Sequence, residues 1–418
     1  PPGRMTSGRI SPLVRSLLQE NYGAVDRSVP AMLSLLGQRG ADECWHKHST
    51  FKQHLRNVWQ ILSLWEARPE AARAGLCHSV YANSFVNLKL FDADLEEDRA
   101  RVRSLLGDEA ERIILLWCTI DRRAEVVDKL LGRFSSGSQG PEFDESLLKG
   151  ELEAGLVVGH LRDFGRSMTL DARDVGELLS FEMADACDQN FGWQDDMMGG
   201  DYYLDPGPEG QRPGCLWPGA SKPGLWMSTV AKMGRLVKAC AQVAEKQGRP
   251  LGLQSPGYPP GYPPSLNKSR LPPVFEKCSR LLLPSDEKMA RDLYWQVACA
   301  GDGSLAASKR GAWLEALEEA SRLNPFVAEP HILRAQLLLE RQGGGLNGGE
   351  LGAGDALAAR EAAEAGLALL CEWGTAWDKR MAWEAWVAWA RVIAQRADKG
   401  LAWPGSTWGV LNLGLVHK

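Results

Sequence analysis

Between Phe51 and Trp65 the apolar residues Phe51, Leu55, Val58, Ile61, Leu62 and Trp65 recur every three or four positions, which is the period of one helical face. Glu70–Tyr81 reads as a second helix opened by Pro69. Asp92–Leu106 is charged and amphipathic, and Asp108–Thr119 aligns Ala110, Ile113, Ile114 and Trp117 on one face. Val175–Phe191 is a further helix. The same period returns at Ser285–Cys299, Leu305–Leu323, Ala328–Glu340, Ala356–Cys371 and Met381–Gln395. No segment alternates convincingly as a strand does. The pattern predicts an all-α protein.

Proline and glycine divide these helices into groups. Phe134–Phe143 reads as a loop within the first half, Leu204–Pro223 as a Gly/Pro-rich stretch, and Gly343–Gly354 as a loop in the last third. Ser255–Pro273 (SPGYPPGYPPSLNKSRLPP) has the composition of an extended, semi-rigid linker. The expected organisation is an N-terminal helical extension (1–39), a helical domain (40–203), a Gly/Pro/Trp-rich lid and linker (204–273) and a second helical domain (274–418).

Composition narrows the class. The 418 residues are 44% hydrophobic and 24% charged, with a formal net charge of -5, as in an ordinary globular protein. Mild acidity argues against a dedicated nucleic-acid surface, and no apolar run is long enough for a membrane span. Residues 1–11 lack a signal-peptide core. Arg4 and Arg9, with Ser and Gly and no acid, suggest the remnant of a processed organellar leader. Nine cysteines, an odd number without a C-x-x-C pair, fit buried thiols in a reducing intracellular compartment, either the cytoplasm or an organelle after leader removal. Sixteen tryptophans call for large packed helix interfaces or an aromatic-lined pocket.

Histidine is scarce, with seven in the chain, yet His46, His48, His54 and His78 cluster in the first half. His54 falls on the first strong helix, His78 near the end of the second, and Asp185 and Asp188 on a third. Two imidazoles and a carboxylate from three helices can enclose one divalent cation. A hydrogen-bonded core histidine is the alternative at either position.

The contexts AGLCHSVYANSF (74–85), VRSLLGDEAERIILLW (102–117) and FEMADACDQ (181–189) resemble the HD superfamily of metal-dependent phosphohydrolases, nearest to the hydrolase domains of alarmone enzymes. The likeness covers roughly residues 40–200. It implies a helical hydrolase fold with His54, His78 and Asp185 as ligands to one divalent ion (Fe, Mn or Zn) and a small phosphorylated or nucleotide-like substrate. Ser79 stands where the family carries the Asp of its His-Asp pair, and the acidic pair that follows is absent, with Tyr81 and Ala82 nearby instead. His48 is a candidate fourth ligand or substrate contact, whereas His46 is expected to face solvent. Asp121 and Tyr81 are the catalytic candidates, Asp121 having an alternative as a partner of Arg122 or Arg123. Asn83 and Trp59 could line a pocket or simply pack. Only His160 lies between the His-Ser turn and the last Asp, which disfavours a dinuclear oxygenase.

Trp217 and Trp226 belong to a segment placed to act as a lid. The aspartates Asp195, Asp196, Asp201 and Asp205 lack calcium-loop spacing. Trp313–Pro325 resembles the second helix of a tetratricopeptide repeat, with Leu317, Ala320 and a closing Asn-Pro, which makes 274–418 a possible surface for a protein partner. The tryptophans from Trp373 to Trp389 form a helical stripe, expected to dock this domain on its neighbour. The G-x-G-x-x-G match at Gly343 follows a helix and is no dinucleotide fingerprint. Three functions remain open: an HD-type hydrolase, a mononuclear metalloenzyme of another class (lyase or oxygenase) on that scaffold, and a non-catalytic helical interaction scaffold.

Overall fold

The computed structural model describes residues 8–47, 49–83, 89–137, 140–163, 165–189, 222–251, 281–300, 303–340, 352–404 and 409. Helices α1 (Pro12–Leu18), α2 (Tyr22–Val25) and α3 (Val29–Gln38) precede a minimal hairpin of β1 (Trp45–His46) and β2 (Ser49–Thr50). α4 (Phe51–Leu64) begins directly after it, because Thr50 Oγ1 accepts the Gln53 amide at 3.2 Å and caps the first turn. α5 (Pro69–Leu76) opens on a proline whose missing N–H costs nothing at that position. α6 (Glu96–Leu106) and α7 (Asp108–Thr119) meet at Gly107, whose φ of 95° suits glycine.

A π-helical turn, Arg123–Asp128, leads into α8 (Lys129–Leu131). The hairpin of β3 (Ser135–Gly137) and β4 (Gly140–Glu142), α9 (Glu145–Ala154) and the hairpin of β5 (Leu156–Gly159) and β6 (Ser167–Leu170) follow. The eighteen-residue α10 (Ala172–Gln189) comes next, then α11 (Met227–Lys246). The remaining helices are α12 (Pro284–Ala298), α13 (Gly303–Leu323), α14 (Glu329–Leu339), α15 (Ala353–Trp373) and α16 (Trp383–Asp398).

The all-α expectation holds: the only strands among the described residues form three two-stranded antiparallel sheets. Strands of two to four residues are too short to register as alternation. No helix among the described residues is long and apolar enough to cross a membrane. The described cysteines are free thiols, with Cys77, Cys118, Cys187 and Cys240 buried.

The described residues fall into two compact units. The first lies within Pro12–Gln189 and Ser228–Leu281. The second lies within Pro1–Ser11, Asn190–Met227 and Leu282–Lys418. In the first, α4 packs on α5 and α10, and α5 on α7, around Leu55, Val58, Trp59, Ile114, Trp117 and Phe181. Part of the segment read as lid and linker is in fact structured. Most of α11 belongs to this unit, and it approaches α10 so closely that a Cβ on Gly176 would sit 3.0 Å from Cys240 Cβ. The prolines and glycines on either side of α11 masked its own apolar period.

In the second unit each helix from α12 to α16 packs on the next in chain order. The tryptophan stripe serves this unit's own interior. Trp373, Trp383 and Trp386 are buried, and the indoles of Trp383 and Trp386 donate to Leu370 O and Asp378 O at 2.8 and 2.9 Å. Trp389 stacks between Trp386 and Trp403.

Candidate metal centre

α4 and α10 carry the site with the turn that follows α5. α5 ends at Leu76, so His78 lies in that turn rather than on the helix where the pattern placed it. The last carbonyls of a helix lack intrahelical partners, and Gly75 O accepts His78 Nδ1–H at 2.8 Å. The histidine thereby caps the helix it follows. Gly75 is needed for space as well, because a Cβ there would collide with Leu62 of α4.

His54, about one turn into α4 from its cap, is 1% exposed; His78 is 2% and Asp185 7% exposed. Three donor atoms converge. His54 Nε2 lies 3.4 Å from His78 Nε2 and 3.1 Å from Asp185 Oδ1, and His78 Nε2 lies 3.2 Å from the same oxygen. Donors held at about 2.0–2.2 Å by one divalent ion stand about 2.9–3.4 Å apart in tetrahedral or octahedral geometry. The triangle fits that requirement, and these three residues form a buried group able to hold a metal ion.

The far nitrogens fix the donors. Asp188 Oδ2 accepts His54 Nδ1–H at 2.7 Å, and its Oδ1 accepts from Asn57 Nδ2 at 2.8 Å. A carbonyl and a carboxylate only accept, so both imidazoles carry their proton on Nδ1 when neutral and turn an Nε2 lone pair to the centre. Asp185 and Asp188, three apart on α10, share a face and divide the work between ligand and support.

In the metal-free centre a proton on His54 supplies the positive charge between the two carboxylates. Burial alone would push the His54 imidazole down, but the hydrogen bonds it donates to Asp185 and Asp188 overcome this and raise it to about 9. Burial likewise opposes the Asp185 carboxylate, yet His54 and His78 hold it well below the ordinary range. Behind the cluster, Trp117 meets His78 edge-on at 5.6 Å, and Cys118 Sγ donates to His78 O at 3.2 Å.

The other candidates occupy different places. His48 lies outside the described residues, as do Trp217 and the aspartates from Asp195 to Asp205. His46 is half-buried rather than fully solvent-facing. Its ring lies 4.5 Å from that of His54, its Nε2 is buried without a hydrogen-bond partner, and burial followed by the charge of His54 pushes it down to about 4. The β1–β2 hairpin folds it inward, which apolar periodicity does not report. Ser79 is buried and accepts from Asn83 Nδ2 at 2.8 Å.

Tyr81 is buried and donates to Glu111 Oε1 at 3.2 Å, a carboxylate also held by Arg99 at 2.8 Å. Asp121 Oδ1 accepts the Ala124 amide at the start of the π-helical turn and is not one of the three convergent ligands. Its neighbours have other partners: Arg122 pairs with Glu182 at 3.0 Å and covers the Trp117 ring, and Arg123 pairs with Asp128. Trp59 is core, edge-on to Tyr22. Asn57 was not singled out in the sequence, although its place three residues after His54 puts it on the same helical face.

A family model described as a domain of unknown function, DUF6817, matches residues 35–122. The match includes His54 and His78 and stops short of Asp185 and Asp188. No curated protein and no solved structure matches the chain.

Proposed function

We propose that the first unit is a metal-dependent hydrolase of HD type acting on a small phosphorylated or nucleotide-like substrate, with one divalent ion (Fe, Mn or Zn) held by His54, His78 and Asp185. The observation that carries this reading is the triangle of two Nε2 atoms and one carboxylate oxygen with both Nδ1 atoms already committed. A bound divalent ion supplies Lewis acidity toward a phosphoryl oxygen and lowers the pKa of its water. Asp188 keeps His54 in the ligating tautomer, and Gly75 O does the same for His78. Trp117 and Phe181 exclude water behind the imidazoles. Ser79 in place of a carboxylate leaves the site with one fewer negative donor, which weakens its hold on Mn²⁺ and Mg²⁺.

The test is to strip the full chain with chelator, reload it with Mn²⁺, Fe²⁺ or Zn²⁺, and follow phosphate or pyrophosphate release from phosphomonoesters, cyclic phosphodiesters and nucleotides. The reading expects turnover that needs metal and is lost in Asp185→Asn. No turnover with any loaded metal across that panel contradicts it.

A second reading has its own support. Two imidazoles and one carboxylate, with no further His or Asp in the group among the described residues, are also the donor set of mononuclear non-haem iron sites. Under this reading the Fe²⁺-loaded chain consumes dioxygen with an organic substrate, or eliminates without it. Comparison of aerobic and anaerobic screens separates the two.

A further inference from the structure

The β1–β2 hairpin lays a third histidine against the metal centre. Successive side chains of a strand point to opposite faces, and here Trp45 is exposed while His46 turns toward α4. The His46 ring lies 4.5 Å from that of His54, tilted by 38°, and 5.5 Å from that of Phe51, which it meets edge-on. The charges of His54, Asp185, Asp188 and His78 all reach it. Two contacts hold the hairpin in place. Phe51 N donates to Cys44 O at 2.8 Å at its base. Lys47 Nζ donates to Gln189 O at 3.0 Å, at the end of the helix that carries Asp185. Lys47 itself sits at φ 53°, in the left-handed region that a residue with a side chain enters only at a cost.

His46 Nε2 is buried with no hydrogen-bond partner among the described residues. A polar nitrogen shut away from water costs stability unless something bonds to it. His46 is not one of the three convergent donors, so ligation of the ion does not account for its place. An ion held by two imidazoles and one carboxylate keeps a position open for substrate.

Resting on the hydrolase reading of this same site, we propose that His46 is a substrate-binding residue, its Nε2–H donating to a phosphoryl oxygen of the substrate at the ion. A hydrogen bond to an anionic oxygen is charge-assisted and stronger than one between neutral groups. His54 and Phe51 pack the ring in one orientation, so little freedom is lost when it meets the ligand.

The experiment strips the full chain with chelator, reloads it with Mn²⁺, desalts it, and titrates it with inorganic phosphate against sodium chloride at equal ionic strength. Calorimetry reads the affinity, and broadening of the phosphate phosphorus resonance by bound Mn²⁺ reads contact with the ion. His46→Phe keeps a ring against His54 and Phe51 and removes the donor, whereas His46→Gln supplies another donor. Phosphate affinity should fall about ten-fold or more in His46→Phe, as for one lost hydrogen bond to a charged group, and recover in part in His46→Gln. Mn²⁺ affinity should stay within about two-fold of wild type in both, which a general disturbance of the centre would not allow. Circular dichroism confirms that both variants fold. Equal phosphate affinity in wild type and His46→Phe overturns the proposal and leaves the metal centre standing. So does a loaded wild type that binds Mn²⁺ but no phosphate. A Mn²⁺ affinity lowered about ten-fold in His46→Phe would make His46 a ligand and overturn it as well. A wild type that binds no Mn²⁺ is the separate failure of the hydrolase reading, and the proposal falls with it.

Discussion

Asp188 holds the outer nitrogen of His54, its Oδ2 accepting Nδ1–H at 2.7 Å, and so decides which face of the imidazole meets the centre. Asn57 braces that carboxylate from the same helix as His54. The ligand and its orienting acid lie 134 residues apart in the chain.

Replacement of Asp188 by Asn tests the relationship. An amide nitrogen facing His54 Nδ1 favours the opposite tautomer and places the proton on the ligating Nε2. Metal affinity should fall by about 10–100-fold, the usual effect of losing an outer-sphere partner. Titration of the stripped chain with Zn²⁺ reads this directly; equal affinity would mean that the contact orients nothing.

Ser79→Asp should act in the opposite direction. The serine is buried beside His78 at the position where the resemblance places a carboxylate. An added carboxylate should tighten Mn²⁺ binding and destabilise the metal-free protein by about 2 kcal/mol or more, and added Mn²⁺ should rescue it. Melting curves of wild type and variant with and without Mn²⁺ provide the check. Equal destabilisation in both conditions places residue 79 away from the ion.

Tyr81→Phe should leave metal affinity within two-fold of wild type, because the hydroxyl serves Glu111, which keeps Arg99. The expected cost is about 1 kcal/mol of stability for one lost hydrogen bond. A large loss of affinity in this variant would tie Tyr81 to the centre.

Stability of the second unit should depend on pH through Glu329. Burial first, then the neighbouring Asp378, raise its folded value to about 7, above the ordinary 4.5, so the folded state binds the proton more tightly than the unfolded one. This contribution is fully present below about pH 4.5 and is lost as pH rises through 7, a change on the order of 3 kcal/mol. Denaturant titrations from pH 5 to 8 should show that decline, and Glu329→Gln should flatten it. A wild-type slope retained in the variant would assign the dependence elsewhere.

The sequence made the helices legible where their period was long and uninterrupted, as in Phe51–Trp65 and Ala356–Cys371. It hid α11, whose period lies between two Gly/Pro-rich stretches, and it ran the second helix past Leu76, because the hydrogen bond from His78 back to Gly75 is not a periodic signal. Spacing and local context together selected His54, His78 and Asp185. Two neighbours are not assigned their roles by the sequence: Asp188 is named beside Asp185 without a role of its own, and His46 is expected to face solvent. Both roles depend on contacts between segments distant in the chain or on a two-residue hairpin, neither of which leaves a mark in apolar patterning.

The central claim is that His54, His78 and Asp185 bind one divalent ion, and the most direct measurement is the stoichiometry of metal on the chelator-stripped full chain. Calorimetry with Zn²⁺ and Mn²⁺, backed by elemental analysis after desalting, should give one ion per chain in the wild type. Binding should be lost in His78→Ala and Asp185→Asn, both folded by circular dichroism. No binding by the wild type, or the same binding in the two variants, would contradict the account.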